Sequence, residues 1–285
     1  MSIVERPPKL APYDMFQRYL SLRVPRASKG GGDEINRNGP IIPFALNNYL
    51  CVTPSNGGAD AALKLKDVLL GLTWGSGPKA PSLRSKFGIS GVELMHVFSG
   101  KGSPKQMEAA LSMVDFAIRE MPAKLQGKFP KLVQLGMTSM QDMQPQKSVL
   151  IGLDCNGFVG NWQSAAGYLG VSPNNSIGFW PNRGRRYSLD QIHEFDIAPF
   201  NDVGHIVLFD EVIRERGNVY ANIVQSTGRQ GASSGPQYTL KHRITLSDTA
   251  GVFLIYPNGK ADNPIALFKP IKVKILSSGF RAMPT

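Results

Sequence analysis

The sequence predicts an α+β chain: a mainly helical first half, then one helix followed by an antiparallel sheet. Two patterns predict it. Apolar residues at helical spacing are concentrated before about residue 170. Runs of strong β-formers separated by turn residues fill the stretch from about residue 205 onward. No internal repeat appears.

Residues 1 to about 45 read as an irregular N-terminal arm. Prolines at 7, 8, 12, 25, 40 and 43 and the Gly30-Gly31-Gly32 run interrupt regular structure. One amphipathic helix is expected over Asp14 to Leu22, and the arm is expected to lie over the domain surface. Residues 46–148 read as a mainly helical insertion or accessory region. Ala59 to Leu70 has helical spacing. The clearest helix starts at Ser103, where Ser103, Pro104 and Gln106 supply an N-cap, a first-turn proline and a capping-box partner. Met107, Ala110, Leu111, Val114 and Ile118 then form one apolar stripe, and Pro122 sits just past its end. Met137, Met140 and Met143 read as adaptable packing, with substrate-groove lining as the other reading.

Residues 149–285 read as the core that carries the chemistry. Phe158, Val159, Trp162, Ala165, Ala166 and Leu169 make a helical face closed by Gly170. Loops rich in Pro, Asn and Gly run to about 187, and Ser188 to Ile192 reads as a short helical turn. His205 to Ile213 is a strand, Arg214 to Asn218 a turn, and Val219 to Gln225 the returning strand. Tyr238 to Leu246, Val252 to Tyr256 and Ile271 to Leu276 read as further strands, with Pro257-Asn258-Gly259 as a turn.

Within this core the segment Gly152-Leu153-Asp154-Cys155-Asn156-Gly157-Phe158-Val159 puts a cysteine at a helix start. About fifty residues later, Asp202-Val203-Gly204-His205-Ile206-Val207-Leu208-Phe209 puts a histidine at a strand start. A thiolate is the nucleophile of cysteine chemistry, and a helix N-terminus and a neighbouring imidazolium both favour it. His205 would take the thiol proton and later protonate a leaving amine. A third polar group fixes the imidazole tautomer. Gln225 on the partner strand can do this through its amide oxygen, with Asn222, Ser226 and Thr227 as rivals. The backbone N–H of Cys155 can help stabilise an oxyanion. Asp154, Asn156, Trp162 and Arg185 are the candidate substrate contacts. Asp154 also reads as a helix cap or loop anchor. His193 and His242 read as surface or structural residues.

The chain of 285 residues suffices for one large or two modest domains, and its 42% hydrophobic content implies a real core. A net charge of +11 favours an acidic partner: cell wall, membrane surface or nucleic acid. Arg183-Gly184-Arg185-Arg186 is the densest basic cluster. No RNA-recognition, zinc-finger or P-loop signature occurs, so nucleic acid is not expected. Two cysteines exclude a disulfide-dense scaffold. Cys51 reads as a small core residue, and a Cys51–Cys155 disulfide would consume the candidate nucleophile. His96, His193, His205 and His242 show no paired ligand spacing, so neither a metal nor another cofactor is expected. The first residues hold no apolar stretch of signal-peptide length, and no run of about eighteen apolar residues occurs. A transmembrane segment is therefore not expected. The chain reads as made in the cytoplasm without a cleavable leader, so work outside the cell would need a leaderless route.

The Asp154-Cys155-Asn156-Gly157-Phe158-Val159 segment resembles the Asp-Cys-Ser-Gly-Phe-Val motif of NlpC-type peptidoglycan endopeptidases. Gly204-His205-Ile206-Val207-Leu208 is similar to their Gly-His-Val-Gly-Ile strand and to the Gly-His-Val-Ala strand of CHAP amidases. The resemblance covers roughly residues 149 to 227. It implies a papain-like fold, with the cysteine helix packed on an antiparallel sheet carrying the histidine. Asn156 replaces the usual serine. The third position in these families is often His, Asn or Gln, which admits Gln225. Their Tyr-x-x-Gly-Gly segment, usually just before the cysteine, finds its nearest echo about eighty residues upstream, in Leu72-Thr73-Trp74-Gly75-Ser76-Gly77. Either a helical insertion separates the two or the echo is accidental.

The resemblance implies a cysteine peptidase or amidase that cleaves a peptide-stem amide of bacterial peptidoglycan through a thioester. Delivery by a specialised secretion machine or by a phage would follow, and an antibacterial effector would require a cognate inhibitor (immunity) protein. Arg183, Arg185 and Arg186 would be the first residues to test for attraction to an anionic wall. Two other readings stay open. The same triad could run deamidation, transglutamination or acyl transfer on a protein or lipid. A non-catalytic cell-wall-binding module would instead hold Cys155 buried and inert.

Overall fold

Two helices in this chain start at complete local caps, and one strand pair is joined by a tight turn. The computed structural model describes residues 10–51, 59–129, 150–167, 188–200, 204–228, 235–247 and 251–255. The architecture is mixed α+β with antiparallel sheets. The chain divides into two compact units. A helical unit holds residues 18–154 and 228–235; a sheet unit holds 1–17, 155–227 and 236–285.

In the helical unit, β1 (Leu22–Pro25) pairs antiparallel with β4 (Ile41–Phe44), and β2 (Ser28–Lys29) with β3 (Ile35–Asn36). The helices are α2 (Ala59–Leu70), α3 (Leu83–Lys86), α4 (Gly91–Phe98), α5 (Pro104–Glu120) and α6 (Pro122–Gln126). Residues 22–44 are therefore not an irregular surface arm. Leu22, Val24 and Phe44 are buried, and β1 packs on α5. Ser112 Oγ donates to the Pro25 carbonyl. Asp115, fully buried, holds Arg119 at 2.8 Å and Arg26 at 3.4 Å. The prolines are compatible with strands because a two-stranded ribbon is all edge, where a missing N–H costs little.

Both α4 and α5 start with complete capping boxes, Ser90 with Glu93 and Ser103 with Gln106. Pro122 follows the end of α5 and opens α6 as its first residue, the helical position where proline loses nothing. Trp74, part of the Gly-rich echo, is half-buried and packs edge-on against Phe116 at 4.9 Å.

The sheet unit is built from α7 (Cys155–Ala166), a 3-10 turn at Leu189–Gln191, and strands β5 (Ile197–Phe200), β6 (His205–Glu215), β7 (Asn218–Thr227), β8 (Gly235–Ser247) and β9 (Gly251–Ile255). Sheet order follows chain order, β5-β6-β7-β8-β9. α7 packs on β6 and β7. It stops at Gly167, three residues before Gly170, and Ala165 on its expected apolar face is exposed. β6 and β7 join through Arg216 and Gly217, both at positive φ (49° and 79°), the primed turn that matches strand twist. The register slips by one residue between Phe209 and Glu211, a bulge at Asp210.

Val207 and Phe209 of β6 and Val219, Ala221 and Ile223 of β7 share one buried cluster with Ile192, Ala198 and Ile244. The first helix, α1 (Pro12–Leu20), has residues in both units, which divide after Gln17. Its N-terminal part belongs to the sheet unit. The Leu10 carbonyl accepts from Trp162 Nε1 at 2.9 Å, and the Tyr13 N–H donates to Asp210 at 2.8 Å. Met137, Met140, Met143, the Arg183–Arg186 cluster, Pro257-Asn258-Gly259 and the strand expected over Ile271 to Leu276 lie outside the described residues.

Candidate active site

The apolar alternation of the β6–β7 hairpin ends in polar residues. In β6 it runs back from Phe209 and Val207 to His205; in β7 it runs on from Ala221 and Ile223 to Gln225. One strand face thus delivers an imidazole and a carboxamide side by side. His205 Nε2 lies 2.8 Å from Gln225 Oε1. An amide oxygen only accepts, so Nε2 is the ring nitrogen that donates in this bond, which makes Nδ1 the basic nitrogen of the neutral imidazole. Gln225 is 4% exposed, which protects this bond from water. His205 is half-buried.

Of the rivals for the third position, Asn222 is committed elsewhere. It donates to Glu211 at 2.6 Å and accepts from the Lys241 N–H at 2.9 Å. Ser226 and Thr227 are buried on the same strand.

Cys155 is the first residue of α7. Its Sγ lies 3.9 Å from the carbonyl oxygen of Gly204, the residue preceding His205. The thiol therefore stands at the entrance to the histidine strand, with its own backbone N–H in the open first turn of a helix. The sulfur is nearly enclosed, at 5% exposure of the residue. No disulfide links it to Cys51. Cys51, in the helical unit, has its thiol pushed up by burial and then by the Asp154 carboxylate, as befits an unreactive packing cysteine.

The four expected substrate contacts fare differently. Trp162 is fully buried with its indole N–H bonded to Leu10, so the contact expected there is replaced by packing. Asp154 belongs to the helical unit, where Lys101 Nζ holds its carboxylate at 2.7 Å and its N–H donates to the Gly100 carbonyl at 2.8 Å. It is a buried loop anchor, the other role its sequence position allowed. Asn156 is 7% exposed and offers little surface to a ligand. Arg185 lies outside the described residues.

Sequence reasoning missed Lys101 and Asp210. Lys101 meets Asp154 across 53 residues, and no spacing rule announces such a pair. Asp210 is the bulged residue of β6; burial raises its carboxyl, and the Tyr13 N–H offsets part of that rise. Half-buried Asp210 sits at the break in alternation at Phe209-Asp210-Glu211, the signal from which it could have been found.

Among the described residues, no group of three or more His, Cys, Asp or Glu is placed to hold a metal ion, and no helix is long and apolar enough to cross a membrane. No protein-family model, curated protein or solved structure matches this chain.

Proposed function

We propose that this chain is a cysteine hydrolase of the papain-like, NlpC/CHAP-related type. Cys155 attacks a carbonyl, His205 Nδ1 takes the thiol proton and returns it to the leaving amine, and Gln225 holds the imidazole in the required tautomer. The observation that carries the reading is the 2.8 Å His205–Gln225 bond beside a helix-start cysteine whose sulfur touches Gly204. A sheet in simple chain order with the cysteine helix packed on its second and third strands supports the fold assignment.

The substrate proposed is a peptide-stem amide of bacterial peptidoglycan, with a cognate inhibitor where the producer is itself susceptible. This part rests on the motif resemblance and on the basic charge. The test is digestion of purified peptidoglycan by wild type and Cys155→Ala, read by mass spectrometry of released fragments. Defined muropeptides from wild type alone support the proposal; equal release from both, or none from either, rejects the wall substrate.

The burial of Cys155 is the feature expected of a non-catalytic module; a second catalytic reading also accommodates it, in which the same triad acts on a protein or lipid acyl or amide group. Acyl-enzyme formation on a small thioester or amide with no fragment release from peptidoglycan would select it.

A further inference from the structure

The charge of the chain is unevenly divided. The helical unit holds 18 Lys and Arg against 10 Asp and Glu, so it carries +8 of the total +11. The same unit contains an open groove of about 620 Å³ between β1, the turn after α3, and the first turns of α4 and α5. That volume suits a short peptide or comparable ligand. All its lining residues belong to the helical unit, and none of them is a triad residue.

The groove pairs an apolar floor with two cations. Phe87 and Ile89 are 3% exposed and form the floor. Its two carboxylates are already bound to main-chain donors. Glu93 accepts from the Ser90 N–H at 2.8 Å and Glu108 from the Arg23 N–H at 2.7 Å. Glu93 moreover faces the positive end of α4, which offsets its charge. Arg37 and Lys105 also line the groove, and neither meets a carboxylate among the described residues. Gly88, at φ +65°, leaves room for the Arg37 guanidinium to lie against the backbone, with Nη1 3.2 Å from where a Cβ would stand.

We propose that this groove binds a carboxylate-bearing peptide segment, with Arg37 and Lys105 taking the carboxylates. The unit would thereby hold an acidic polymer by a contact that owes nothing to the cysteine chemistry.

The test uses the full-length Cys155→Ala chain and two short synthetic peptides, one of alternating Glu and Ala, the other with Gln for Glu. Calorimetric titration at low and moderate salt gives Kd. The expected result is binding of the Glu peptide that weakens with salt, and binding of the Gln peptide about tenfold weaker or worse. Adding Arg37→Gln and Lys105→Gln together should abolish that difference, whereas Lys124→Gln on α6 should preserve it; circular dichroism checks that each variant is folded. Equal affinity for both peptides, no binding of either, or equal losses from the paired and Lys124 substitutions would overturn the proposal. Because the chain tested lacks the thiol, failure here leaves the hydrolase reading standing, and failure of that reading leaves this result unaffected.

Discussion

His205 on β6 and Gln225 on β7 are diagonal neighbours with Nε2 and Oε1 2.8 Å apart, and the carboxamide is almost fully shielded from water. Gln225→Ala should therefore lower kcat by about 10- to 100-fold, the range that outer partners of functional histidines command. Gln225→Glu keeps an acceptor and should lose less. His205→Ala removes the base itself and should cost about 10²- to 10⁴-fold. Steady-state kinetics on a small amide or thioester substrate checks all three. Equal losses for Ala and Glu at 225 would contradict an orienting role.

Trp162 lies two turns along the helix that Cys155 starts, and its indole N–H satisfies the Leu10 carbonyl at 2.9 Å. Trp162→Phe keeps most of the packing but leaves a buried carbonyl without this donor. A loss of about 1–3 kcal/mol in urea unfolding is expected. Since the segment around Leu10 braces the nucleophile helix, thiol reactivity should fall in the same variant.

Gly100 sits at φ +81°, and a Cβ there would collide with the Leu50 carbonyl oxygen. Its own carbonyl accepts from the Asp154 N–H. Gly100→Ala should destabilise the chain by at least about 1–3 kcal/mol from backbone strain alone, read as a lowered Tm. Lys101→Met would leave the Asp154 carboxylate enclosed without its cation. It should cost about 2–4 kcal/mol, below the range for wholly buried pairs because Lys101 keeps some contact with water.

The Glu93 carboxyl is held below its ordinary value, chiefly by the Ser90 backbone N–H. Its folded-state pKa is depressed, so the stability it contributes is present above the ordinary value of 4.5 and is lost as pH falls through the folded value. Glu93→Gln preserves the capping box without the charge. The stability gap between wild type and Glu93→Gln should be widest above pH 4.5 and close as the solution is acidified, as urea titrations across pH would show.

What the sequence makes legible is local. The α5 start could be read because Ser103, Pro104 and Gln106 lie within one turn of each other, and both reciprocal capping bonds form. The β6–β7 hairpin could be read because β-formers flank Arg216-Gly217, and with it the adjacency of His205 and Gln225. What stays hidden depends on distant partners. β1 and β4 are only four residues each and carry prolines, so their pairing is decided by burial of Leu22, Val24 and Phe44 rather than by propensity. Trp162 could equally have faced a ligand; a carbonyl 152 residues away turns it inward. Asp154 looked like part of a motif, and its partner Lys101 carries no signal in its neighbours.

The most direct measurement is the rate at which iodoacetamide alkylates each cysteine near pH 6.5, followed by peptide mass spectrometry in wild type and His205→Ala. A working pair predicts that Cys155 reacts at least about tenfold faster than Cys51, whose thiol is pushed up by burial, and that His205→Ala removes the advantage. A Cys155 that reacts no faster than Cys51, or equally fast without His205, would contradict the proposed catalytic site.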